Sequence, residues 1–181
     1  MKQKYVWSII LAIILVIGCK DSKKTGVEAI LSEMKSRPID LCLEKMVCRY
    51  GNRDTVISDK RNYDYKMVVY MDTAECSPCR ISDLFLWNDY IDKKSAKTKY
   101  YFIFSIKKED MANSYLALAD AEFHDCVYFD TCQVFEKCNK QIPQERLYHT
   151  FLLDAKNRIV MVGNPIENSE LRKIFYKITK E

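Results

Sequence analysis

The sequence predicts an α/β fold, a central mixed sheet flanked by helices. Three observations predict it: strand and helix runs alternate as βαβαβ from residue 65, a hairpin pattern follows at 148–162, and an amphipathic helix closes the chain. Such alternation implies a parallel portion covered on both faces, and the hairpin adds an antiparallel edge. The chain has 181 residues, 48% of them apolar, with only four Gly and four Pro. That suits one domain and argues against disorder or a glycine-rich nucleotide loop. The 29 basic and 25 acidic side chains form no basic stripe interleaved with aromatics, so nucleic acid is not expected as a partner.

Taken in order, the chain opens with Lys2 and Lys4 before a nearly unbroken apolar stretch from Val6 to Ile17. That stretch is too short for a comfortable transmembrane span. It ends in Val16-Ile17-Gly18-Cys19, which resembles the lipobox of bacterial lipoproteins, whose Cys is lipidated and becomes the first mature residue. An uncleaved signal anchor is the alternative. Both readings tether the chain to a membrane outside the cytoplasm, and stable lipid attachment takes more than one acyl chain. The expected organisation is a signal peptide over 1–18, lipidated Cys19 with a polar tether over 19–26, an N-terminal extension over 27–60, and the α/β domain over 61–181.

Residues 26–35 read as a helix with Val27, Ile30, Leu31 and Met34 on one face, stopped by Pro38. Residues 39–49 are mixed and compatible with a short strand, and Gly51-Asn52-Arg53-Asp54 signals a turn. The first clear strand is 65–71. A helix follows from Cys79 to about Lys94, then a strand over 100–106, a helix over 109–123 and a short strand over 127–129. Asp130 or Thr131 can cap a brief helix through Lys137. Strands over 148–153 and 158–162 form the hairpin around Asp154-Ala155-Lys156-Asn157, and 167–179 is the closing helix.

Thr73-Ala74-Glu75-Cys76-Ser77-Pro78-Cys79-Arg80 lies at the first strand-to-helix junction. A Cys-x-x-Cys there points to dithiol redox chemistry. Unpaired backbone N–H groups at a helix start favour a thiolate at Cys76. Pro78 suits the first turn because it has no N–H to lose. Cys79, one turn in, is placed to resolve a mixed disulfide. A zinc site would need a second ligand pair, and neither His124, His149 nor the remaining cysteines supply one at a suitable spacing, so no metal is expected. An inert structural disulfide is the alternative at the same place. The other cysteines, Cys42, Cys48, Cys126, Cys132 and Cys138, are odd in number and cannot all pair within one chain. Buried unpaired Cys is the default reading, with one bridge allowed and its partners open.

The chain resembles thioredoxin-like proteins, and more narrowly the membrane-anchored, TlpA-like thiol–disulfide oxidoreductases, over roughly residues 60–181. Cys76-Ser77-Pro78-Cys79 after a strand, Thr150-Phe151-Leu152-Leu153-Asp154 followed by Asn157-Arg158-Ile159-Val160, and the closing helix carry the likeness. It implies a thioredoxin-like fold with Cys76 attacking, Cys79 resolving, no cofactor, and protein dithiols or disulfides as partners. Two departures stand out. Glu75 replaces the family's usual Trp, and a carboxylate there disfavours the thiolate unless Arg80 offsets it. Leu147-Tyr148-His149-Thr150 lacks the family's cis-proline, so a trans bond is expected. Tyr148 and His149 are candidate supporting residues; the imidazole could stabilise a thiolate or shuttle a proton, or serve as a hydrogen-bonded structural His. Thr73-x-x-Cys76 also matches part of the peroxiredoxin motif. The expected function is therefore an extracytoplasmic, lipid-anchored thiol–disulfide oxidoreductase facing the periplasm or exterior. A redox-inert lipoprotein of this fold with a binding or envelope role is the alternative, and a thiol peroxidase a lesser one.

Overall fold

The computed structural model describes residues 21–56, 62–75, 77–92 and 97–180. The expectations for the signal peptide, Cys19 and Cys76 lie outside the described residues. Among the described residues, no helix is long and apolar enough to cross a membrane.

Strand β3 (Tyr65–Met71) matches its sequence expectation residue for residue. Its β-branched and aromatic side chains suit a pleated surface, and its two faces enter different apolar layers. Met67, Val69 and Met71 join one layer; Val68 and Tyr70 join the other. Strand β4 (Thr98–Ser105) runs parallel to β3 from Tyr65↔Thr98 to Met71↔Phe104, and β5 (Val127–Asp130) runs parallel to β4. Strand β6 (Thr150–Asp154) is antiparallel to β3, and β7 (Ile159–Val162) returns beside it. Asn157, at φ 60°, makes the hairpin turn, and Asp154 Oδ1 accepts from the N–H groups of Lys156 (2.8 Å) and Arg158 (2.9 Å).

The expected N-terminal extension contributes two strands to this sheet. β1 (Val47–Tyr50) pairs antiparallel with β5, and β2 (Arg53–Asp54) turns back along β1 through Gly51 at φ +54°. The seven strands run in the order β2-β1-β5-β4-β3-β6-β7. A central β3 followed by a helix, a parallel neighbour, and an antiparallel hairpin closed by a helix make this a thioredoxin-like fold. Helix α1 (Asp21–Met34) precedes the sheet, and its Met34 is buried in the second layer.

Sequence periodicity placed a single helix over 79–94. The helical run instead starts at Ser77 and changes character: α2 (Ser77–Ser82), a 3₁₀ stretch over Asp83–Trp87, then α3 (Asn88–Asp92). Three residues per turn stack Leu84 and Trp87 on one side, and both are buried. Helix α4 (Met111–Asp120) is shorter than expected, with a 3₁₀ turn before it and Glu122 at φ 47° beyond it. The brief helix is α5 (Val134–Cys138), capped from a distance. Asp130, fully buried, accepts from the N–H groups of Cys132 (3.2 Å) and Phe135 (2.8 Å). Closing helix α6 (Ser169–Thr179) is capped by Asn168, whose side chain accepts from the N–H groups of Glu170 and Leu171.

One strand expectation needs correction. Residues 146–148 form a 3₁₀ turn, and β6 begins only at Thr150, not Tyr148. The N–H groups of Tyr148 and His149 bond back to the carbonyls of Glu145 and Arg146, each at 3.0 Å, so neither N–H joins the ladder, although the His149 carbonyl accepts from the Tyr70 N–H at 2.8 Å. The turn swings the chain inward before Thr150 pairs with Val69.

Candidate functional site

Among the described residues, Glu75, Arg80, Tyr148 and His149 lie together near the C-terminal end of β3, where open α/β sheets expose their loops. Asp72 Oδ1 accepts from the N–H of Ala74 at 2.8 Å and shapes the turn leaving the strand. Pro78 is the second residue of α2, as a first-turn proline should be. Its carbonyl accepts from Ser82 Oγ at 3.0 Å. Cys79 is exposed and disulfide-bonded. Cys42, Cys48, Cys126, Cys132 and Cys138 are all free, so its partner lies outside the described residues.

Glu75 stands directly before Cys76 in the chain and is largely buried. Its Oε2 pairs with Arg80 Nε at 3.1 Å and lies 3.8 Å from Arg146 Nε. Arg80, the residue expected to offset Glu75, makes a direct ion pair with it. Arg146 continues to Glu167 Oε1 at 3.0 Å, which also accepts from Asn164 Nδ2 at 3.1 Å. Charge therefore runs as a chain from the motif to the segment before α6. Glu75 Oε1 is buried with no hydrogen-bond partner.

His149 is 2% exposed. Its Nε2 sits 2.9 Å from the Pro143 carbonyl. A carbonyl can only accept, so Nε2 donates to it, and the other ring nitrogen is Nδ1. That Nδ1 is buried without a partner. The ring lies 5.0 Å from the ring of Tyr70. Tyr70 shares a 3.3 Å hydrogen bond with Ser105 Oγ, and burial pushes its phenol up to about 12, so it stays neutral.

Tyr70 and His149 form the wall between two clefts. The larger, about 650 Å³, is lined by Arg80, Arg146, Tyr148 and His149 from the domain and by Val27 and Leu31 from α1. The smaller, about 410 Å³, is lined by Asp72, Thr73, Ala74, Phe135, Pro143 and His149. Glu75, Pro78, Arg80, Tyr148 and His149 thus come together at one end of the sheet. His124 lies elsewhere, paired with Asp92 at 2.9 Å. Sequence reasoning missed Arg146, Glu167 and Tyr70. Only Tyr70 carried a signal, since strand alternation places it on the face opposite Val69.

Two further sulfur pairs emerge. Cys48 on β1 and Cys126 beside β5 share a hydrogen bond, which lowers Cys48 and raises Cys126. Cys42 Sγ lies 2.8 Å from Cys138 Sγ, and burial with that contact pushes the Cys42 thiol up to about 12. Cys132 is exposed.

No family model and no curated protein matches the sequence. Among solved structures, a thioredoxin-like protein in its oxidised form is similar at 10% identity, covering 81% of this chain and 94% of that one, with a TM-score of 0.48. A mutant of Xylella fastidiosa PrxQ is similar at 13% identity, covering 80% and 94%, with a TM-score of 0.47. A putative thiol:disulfide interchange protein DsbE from Chlorobium tepidum is similar at 19% identity, covering 74% and 92%, with a TM-score of 0.45.

Proposed function

We propose that this chain is a thiol–disulfide oxidoreductase, held at a bacterial membrane outside the cytoplasm by lipid on Cys19, with Cys76 and Cys79 as its dithiol. One observation carries the reading: Cys79 is disulfide-bonded in the first turns of the helix that follows the central strand. The Cys76 thiolate attacks a substrate disulfide, forms a mixed disulfide and releases one substrate thiolate. Cys79 then attacks the Cys76 sulfur, releases the second substrate thiolate and leaves a Cys76–Cys79 bridge. A partner dithiol returns the two electrons, or the same steps run in reverse.

The test is Cys79→Ala in cells, read on non-reducing gels. Mixed disulfides through Cys76 are expected to accumulate. A variant that traps nothing removes the enzymatic reading.

Glu75 tunes the dithiol in this reading. Glu75→Gln removes a negative charge one residue from Cys76 and leaves Arg80 without its ion-pair partner, while Arg146 keeps Glu167. The Cys76 thiol pKa is expected to fall by roughly one unit. The reduction potential then rises by up to about 30 mV, because the reduced form gains stability. The pH profile of alkylation checks the first and glutathione titration the second. An unchanged profile would mean that the Glu75 carboxylate does not act on the Cys76 thiol, and would overturn this prediction.

A redox-inert binding role has its own support. The N–H groups of Tyr148 and His149 are spent within the 3₁₀ turn and are not available to pair with a substrate backbone. The same titration separates the readings, since a potential below about −300 mV marks an inert bridge.

A further inference from the structure

We infer that Cys42 and Cys138 form a second disulfide, one that locks the N-terminal segment onto the domain and is independent of the Cys76–Cys79 reading. Their sulfurs lie 2.8 Å apart. Even carbon-sized atoms need about 3.5–4.0 Å for non-bonded contact, so two thiols do not rest at this distance. A covalent bridge, at about 2.05 Å, requires only a small further approach.

Hydrogen bonds hold the two segments together around these sulfurs. The N–H of Asp40 donates to Asn139 Oδ1 at 2.9 Å, and Asn139 Nδ2 donates back to the Asp40 carbonyl at 2.7 Å. Arg37 Nε donates to Gln141 Oε1 at 2.8 Å. Cys42 itself is held at φ 49°, a conformation rare for a non-glycine residue, by an Asp40 Oδ1 that accepts from its N–H at 3.1 Å. Three hydrogen bonds thus hold 37–42 against 138–141 before any covalent bond forms.

The rival occupant is a metal ion, because Asp40, Cys42 and Cys138 place three ligand atoms within 4.8 Å of one another. Sulfur spacing decides against it. Two thiolates bound tetrahedrally to zinc at 2.3 Å stand about 3.8 Å apart.

The oxidant is an external disulfide of the glutathione class. Cys138, the more exposed sulfur, attacks it as a thiolate and releases one thiol. Cys42 loses its proton, displaces the second thiol and closes the bridge. Two protein thiols are oxidised and one external disulfide is reduced to two thiols. The bridge spans 96 residues of sequence and fastens the stretch that follows α1, the helix whose Val27 and Leu31 line the larger cleft.

The test uses the full chain in detergent, equilibrated with oxidised glutathione, alkylated, and digested with trypsin without reduction. The peptide 36–45 is expected joined to 138–140, and the same link is expected in a Cys76→Ala/Cys79→Ala protein. Cys138→Ser should lower the oxidised protein's Tm by roughly 5–10 °C, with little difference once both proteins are reduced. Alkylation of both Cys42 and Cys138 in the oxidised chain overturns the proposal. So does a link from Cys42 to any other cysteine. Zinc that protects both thiols until a chelator is added also overturns it, in favour of a metal site.

Discussion

Cys76→Ala is expected to lower exchange with a disulfide-bridged model peptide, driven by dithiothreitol, by at least ~10²-fold, to the uncatalysed rate. The thiolate is the nucleophile in every exchange step, and alanine offers none. The fold should survive the change. A bridge between residues three apart closes only a small ring, so its loss returns little entropy to the unfolded chain. Comparison with Cys79→Ala then assigns the roles. Cys79 is exposed and could attack on its own. If Cys76→Ala keeps its rate within tenfold while Cys79→Ala loses it, Cys79 is the attacking sulfur. If both variants keep the wild-type rate, the dithiol has no part in exchange and the proposed function fails.

What could be read from the sequence follows how local each signal was. β3 was legible to the residue because Tyr65 to Met71 alternate between two apolar layers within one short run. The hairpin was legible because Asp154 and Asn157 build their turn from neighbours in sequence. β1 was only a possible strand, since Val47 to Tyr50 become a sheet member by pairing with residues 127–129, far along the chain. Tyr148 and His149 looked like strand because aromatic content favours one, yet two short-range hydrogen bonds turn them into a 3₁₀ segment. At the site, the Cys-x-x-Cys and its Glu75–Arg80 pair were visible because they are contiguous. Arg146 and Glu167 were not, because their role depends on the β6 approach and the α6 approach meeting over Glu75. The Cys42–Cys138 contact was invisible for the same reason, as nothing in a spacing of 96 residues announces two sulfurs in contact.

Phe102→Ala is expected to destabilise the protein by about 3–5 kcal/mol, read from urea unfolding, without altering the exchange rate of the folded fraction. Phe102 is fully buried on β4, with the rings of Phe123 at 4.8 Å and Trp87 at 5.7 Å. Truncation removes a whole ring from between these two aromatics. The layer is held by β3, β4 and the 3₁₀ stretch, so it cannot collapse far to fill the void, and the cavity term adds to the lost transfer energy. Phe102 pairs with Val69 on β3, two residues before the strand ends, and its layer also holds Ile81 of α2. Mechanical coupling from this core to the dithiol is therefore short. Its strength is read from activity per folded molecule, with Phe102→Leu as the variant if alanine leaves too little folded protein. A loss of more than about threefold in that rate would show that the Phe102 layer sets the geometry of α2 as well as the stability of the sheet.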